Sequence, residues 1–194
     1  MNLLEKDERD SYVYDPQIKG LDSNFWATLG GTTITATGTP QILRFNAATG
    51  ASFLLHEFFF AADFKLNIPA KPTTGDSRRW GFFSPAGSAD FGGIYFDITG
   101  TAFTSNIVDD AGNSVSKALT WDDTNWSGKA IVFRIVWEPD EIAFWVNGAK
   151  LATFDIGASN SLPQFIALPV YIKNGNSDNV DLSYLAVKRA AGVV

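Results

Sequence analysis

Ile131–Phe154 reads IVFRIVWEPDEIAFWVNGAKLATF, and this stretch decides the fold. Ile131, Phe133, Ile135 and Trp137 alternate with Val132, Arg134 and Val136. That period of two is what a strand needs to place one row of side chains on a core and the next on the opposite face. Glu138-Pro139-Asp140-Glu141 breaks the run, Ile142-Ala143-Phe144-Trp145-Val146 resumes it, and Asn147-Gly148 breaks it again. Asn-Gly between two such runs favours a type I′ hairpin, since both central residues must take φ > 0. The stretch therefore reads as strand, turn, strand, tight turn, strand, and it sets the class as antiparallel β.

Outward from this stretch, the same signals recur from Phe25 to the end. Strands are expected at Thr32–Thr37, Ile42–Asn46, Ala51–Asn67, Arg79–Phe83, Gly93–Ile98, Ala102–Val108, Ser114–Leu119, Gln164–Lys173 and Asn179–Lys188. Turn chemistry separates them, as in Pro72-Thr73-Thr74-Gly75-Asp76 and Asn174-Gly175-Asn176-Ser177-Asp178. No segment sustains a helical period. About a dozen strands with short turns imply a two-sheet sandwich or jelly roll. Residues 1–24 differ: Leu4–Asp10 is dense in charge, and Tyr12–Leu21 carries Pro16 and Gly20. They read as an N-terminal arm leading into a sandwich over 25–194. The run around Phe58-Phe59-Phe60 is apolar on both faces, which calls for a cover, and the arm is the first choice.

Size and charge narrow the partners. The chain has 194 residues, 45% of them hydrophobic, with 16 Phe and 6 Trp, enough for one sizeable core. A formal charge of −6 repels phosphate backbones, so nucleic acid is not an expected partner. Apolar runs fall well short of the about 20 residues of a spanning helix, and no basic amphipathic run suits a membrane surface. Without cysteine there is no disulfide framework and no thiol chemistry. MNLLEKDERD lacks the basic start and apolar stretch of a secretory signal.

The wording FRIVWEPDEIAFWVNGAKL resembles the concanavalin A-like lectin/glucanase superfamily. Its members carry a strand ending in Trp, a Pro-Asp turn, an aromatic strand, then Asp-Gly or Asn-Gly. LPVYIKNGNSDNVDLSYLAVKR resembles the closing strands of that fold, and RWGFFSPAGSADFGGIYFDI is similar to a middle hairpin of its laminin G-type version. The resemblance spans roughly residues 79–189 by pattern. It implies a jelly-roll sandwich, the last strand pairing near the N-terminal one, and leaves hydrolase, lectin and assembly roles open.

Each role needs its own residues. Retaining glycosidases use two carboxylates about 5–5.5 Å apart. In the laminarinase-type enzymes of the superfamily these lie on one strand as Glu-x-Asp-x-(x)-Glu. This chain lacks that string. Glu57 precedes three phenylalanines with Asp63 as the next acid, and Tyr95-Phe96-Asp97-Ile98 holds one acid. His56, the lone histidine, has no nucleophile elbow to serve. No catalytic residue is therefore expected, and the chain reads as non-enzymatic. For a metal, Asp109, Asp110 and Asn113 offer oxygens suited to Ca²⁺, though an ordinary turn has the same composition, so no cofactor is assigned. For a glycan, an exposed ring beside polar side chains is required. Trp121, Asp122, Asp123 and Asn125 supply that composition, as does Trp80 after two arginines. Trp126, Trp137 and Trp145 read instead as core.

The favoured expectation is a structural or adhesive subunit of a larger particle, such as a phage capsid decoration or tail-associated protein. It would dock to other subunits through residues 1–24 and act in a virion or extracellular assembly. A carbohydrate-binding module facing a cell-surface glycan is the alternative, and a glycoside hydrolase comes third.

Overall fold

The computed structural model describes residues 11–19, 26–29, 34–46, 49–53, 59–83, 92–109, 112–138, 140–156, 169–175 and 178–189. Among the described residues, fifteen strands form two antiparallel sheets. In chain order they are β1 (Ser11–Tyr14), β2 (Trp26–Leu29), β3 (Ile34–Thr37), β4 (Ile42–Phe45), β5 (Thr49–Phe53), β6 (Phe59–Asn67), β7 (Ser77–Phe83), β8 (Gly93–Thr99), β9 (Ala102–Val108), β10 (Ser114–Leu119), β11 (Ala130–Trp137), β12 (Glu141–Val146), β13 (Ala149–Asp155), β14 (Val170–Asn174) and β15 (Val180–Arg189). The eight-stranded sheet runs β13-β12-β11-β6-β15-β4-β3, with β1 also paired to β15. The seven-stranded sheet runs β10-β9-β8-β7-β14-β5-β2. This is the all-β jelly-roll sandwich expected from the sequence.

The deciding stretch folds as its pattern requires. Ile131, Phe133 and Ile135 are buried while Arg134 is exposed, and Ile142, Phe144 and Val146 are buried on β12. Asn147 and Gly148 both have positive φ, 49° and 81°, joining Val146 to Ala149. Asn147 suits this place for a second reason: its Oδ1 accepts from Val132 N at 3.0 Å, tying the turn back to β11.

Other expectations are adjusted. The single long strand over 51–67 is two strands on different sheets, β5 and β6, and residues 54–58 between them, including His56, Glu57 and Phe58, lie outside the described residues. β1 and β2 were not foreseen. Within the stretch read as an arm, β1 pairs with β15, Val13 against Ala186, and Tyr14 is buried edge-on to Trp26. One helical turn follows at Pro16–Lys19, where Asp15 Oδ1 accepts from Gln17 N.

Aromatic residues from both sheets meet in the core. Trp80 stacks on Phe96 and meets Phe133 of the other sheet edge-on at 4.9 Å. Phe96 in turn meets Phe144 at 5.0 Å. At one end of the sandwich, buried Asn174 donates through Nδ2 to Phe45 O and Asp178 O, sewing β14 to the opposite layer. Arg78 is buried beside it between Asp76 and Asp178, at 3.6 and 3.9 Å, and this burial holds its guanidinium below the usual arginine range.

Candidate functional site

The residues singled out from sequence fall in three places. Trp80 is not a platform: it is 1% exposed and sits at the centre of the core, so that expectation is corrected. The alternation of β7 decides this, because Trp80 shares its inward parity with Arg78 and Phe82 while Arg79 faces out.

Trp121, Asp122, Asp123 and Asn125 do lie together, around the helical turn Asp123–Trp126. Their polar atoms are committed to one another. Asp122 caps the turn, accepting from Asn125 N and Nδ2 at 3.0 and 2.8 Å, and these bonds hold its carboxyl below the usual range. Ser127 Oγ donates to Asp123, and Trp121 Nε1 donates to Ser127 Oγ. The Trp121 ring is half-buried edge-on against Trp126 and Phe103. The group builds a well-capped corner with little ring face to offer a sugar.

The calcium candidates form a turn. Asp109 is buried, and its carboxylate accepts from Asn113 N and Nδ2, both at 2.8 Å. Asp110 lies outside the described residues. Among the described residues no three His, Cys, Asp or Glu side chains cluster as metal ligands would.

Strand register brings together a set that the sequence did not single out, on the outer face of the seven-stranded sheet. One row across β14, β7, β8 and β9 is Tyr171–Gly81–Tyr95–Asn106. The next is Lys173–Arg79–Asp97–Thr104. An aromatic row thus lies beside a polar one. Glycine makes the aromatic row possible. A Cβ on Gly93 would stand 2.8 Å from the Tyr95 ring, and one on Gly81 would stand 2.6 Å from Tyr95 Cα. The Tyr95 ring occupies the space a side chain at Gly93 would fill, and the β8 backbone at Ile94 and Tyr95 occupies that of one at Gly81. Phe83 meets Tyr95 and Tyr171 edge-on at 5.4 and 4.5 Å, and with Val108 they form a second apolar cluster. Burial pushes the Tyr171 hydroxyl above the ordinary tyrosine range.

The polar row is anchored on Asp97. Arg79 Nε donates to its Oδ1 at 2.9 Å, and Thr99 Oγ1 donates to its Oδ2 at 2.7 Å. The Arg79 guanidinium also lies 4.1 Å from the centre of the Tyr95 ring, joining the two rows. Outward positions of β8 are Gly93, Tyr95, Asp97 and Thr99, so this strand presents one carboxylate to the face. On the eight-stranded sheet, Asp63 and Asp181 are likewise held by Arg134 and Arg44.

Comparison with known proteins follows the fold. No protein-family model matches the chain, and no curated protein sequence matches it either. Solved structures do. A Crh5 transglycosylase matches with a TM-score of 0.69 at 14% identity, covering 93% of this chain and 85% of its own. A β-glucanase of Bacillus licheniformis matches at 0.67 and 13% identity, covering 93% and 99%. A glycoside hydrolase family 16 endo-glucanase from Bacteroides ovatus matches at 0.64 and 12% identity, covering 91% and 99%. The chain has their concanavalin A-like jelly-roll fold.

These matches correct two expectations. The favoured role, a structural subunit of a virus particle, finds no counterpart among these neighbours, which are glycan-processing enzymes. The reading of the chain as non-enzymatic is corrected on the same ground, and the option these neighbours represent is the glycoside hydrolase placed third from sequence.

Proposed function

We propose that the chain is a glycan-processing protein that lays a saccharide across the outer face of the seven-stranded sheet. The observation that carries this reading is the pair of adjacent rows, Tyr171–Gly81–Tyr95–Asn106 and Lys173–Arg79–Asp97–Thr104. A sugar has a rim of hydroxyls that needs donors and acceptors, and Lys173, Arg79 and Asp97 of the polar row supply them, beside an aromatic row whose packed rings form the floor. The fold shared with β-glucanases and a transglycosylase supports the substrate class.

Asp97 is the carboxylate at the middle of this surface. Its two hydrogen bonds fix its position, and a carboxylate held under a sugar is suited to stabilise the oxocarbenium-like centre of glycosyl transfer. Arg79 and Thr99 hold it in place. Lys173, exposed at the end of the row, offers a donor to the same ligand.

The test is turnover with product analysis. Incubation with laminarin, mixed-linkage β-glucan and chitin oligosaccharides should yield new reducing ends or longer transfer products by mass spectrometry. Asp97→Asn should reduce that rate by about a hundredfold, as for loss of one preorganised electrostatic group. No conversion and no binding of any of these glycans would reject the reading.

A further inference from the structure

We infer that a trough on the outer face of β11, β12 and β13 is a second saccharide site, built around Trp145 and separate from the Asp97 face. The ligand class rests on the glycan reading above; the site rests on its own geometry. The trough holds about 470 Å³ and is lined by Trp145, Arg134, Lys150, Glu141, Val136 and Ala143 among others. That volume suits a few sugar units rather than a protein surface.

Register explains how it forms. Lys150, Trp145, Arg134 and Asp63 stand opposite one another in a single row across β13, β12, β11 and β6. Trp145 is half-buried, so part of its ring faces outward. A register shift beside Trp145 leaves Leu151 without a partner on β12, and Leu151 is exposed next to Lys150. Such bulges re-aim side chains at functional surfaces. Val136 and Ala143 are small and keep the neighbouring floor low.

Charge selects the ligand. Arg134 binds Asp63 through both ends of its fork, at 2.5 and 2.6 Å, and Lys150 binds Glu141 at 2.7 Å. These four charges cancel in pairs, and Glu138 in the lining adds one negative charge, so the trough has no field to attract a phosphate and too few carboxylates to hold a metal ion. A neutral polyol fits it. The Lys150 ammonium sits 5.2 Å from the centre of the Trp145 ring, a weak contact at an exposed site that a sugar face can replace. Lys150 and Glu141 then have donors and acceptors at the rim for hydroxyls.

The two faces belong to different sheets and look in opposite directions, which makes the test separable. Laminarihexaose and a mixed-linkage glucan hexasaccharide are titrated calorimetrically into wild type, Trp145→Ala, Trp145→Phe and Tyr171→Ala, with circular dichroism confirming each fold. Trp145→Ala should weaken one of two binding events by about tenfold or more, and Trp145→Phe should largely restore it. Binding that Trp145→Ala leaves untouched, while Tyr171→Ala removes it, overturns the second site and leaves the Asp97 reading standing. If wild type binds neither hexasaccharide, both fall. Should Trp145→Ala be unfolded, the Lys150→Ala variant, altered at the rim alone, must weaken the same event by a few-fold; no change contradicts the proposal.

Discussion

On the outer face of the seven-stranded sheet, Tyr95, Phe83 and Tyr171 lie against one another and are 5–7% exposed. On that of the eight-stranded sheet, Trp145 stands half-buried over an open trough. Both faces combine aromatic rings with paired charges. They differ in what the rings do: in one they satisfy each other, in the other the ring is left for solvent or a ligand. The cause is local. Gly93 clears space for the Tyr95 ring and Gly81 lets the β8 backbone come close, whereas the shift beside Trp145 leaves Lys150 and Leu151 exposed. Packing an aromatic cluster stabilises the sandwich, while an open ring contributes little to folding and is free to act in binding.

That difference can be broken by substitution. The largest effect is expected beneath the faces, at Trp80. Trp80→Ala should cost about 3–5 kcal/mol in urea unfolding, because it empties the contact between the sheets. A change within about 0.5 kcal/mol would place Trp80 on a surface after all. Next comes Tyr171→Ala, which should cost roughly 2–4 kcal/mol by opening the second cluster. Gly81→Ala follows at about 1–3 kcal/mol, since the added methyl meets Tyr95 and φ is +151°. Trp145→Ala is the smallest, within about 1 kcal/mol, and equal losses at Tyr171 and Trp145 would erase the distinction between the faces.

A pH titration sharpens the same contrast. Tyr171 has a raised hydroxyl pKa from burial, so the folded state favours the neutral phenol. Its contribution is present below the unfolded value of about 10 and is lost as pH rises through the higher folded value. Tyr171→Phe should therefore flatten the alkaline fall in stability, read by thermal melts across that range. An unchanged alkaline limb would mean that Tyr171 ionises freely.

Much of the fold was legible because its strongest signals are local. The alternation through Ile131–Trp137, the Asn147-Gly148 turn and the Ala102–Val108 run need no distant partner to be read. β1 and β2 were missed because four residues carry no clear period, and their pairing with β15 and β5 is settled by register far along the chain. The site was harder. Trp80 looked exposed because it stands close to a turn with two arginines before it, yet parity sends Arg78 and Trp80 inward together. Arg79, Asp97 and Tyr171 meet only when β7, β8 and β14 pair, and no spacing along one strand announces that. The available hint was glycine inside strands, at Gly81 and Gly93, where a close approach was being accommodated. Trp145 was read as core from the strength of its strand, but Ile142, Phe144 and Val146 hold the inward parity of β12.

Paired binding and turnover of one β-glucan oligosaccharide by wild type and Asp97→Asn is the most direct measurement of the central claim. Saturable binding by wild type, with conversion that collapses in Asp97→Asn while the variant melts at a similar temperature, is the expected result. A wild-type chain that neither retains nor converts the oligosaccharide, at concentrations where a β-glucanase control does both, would contradict it.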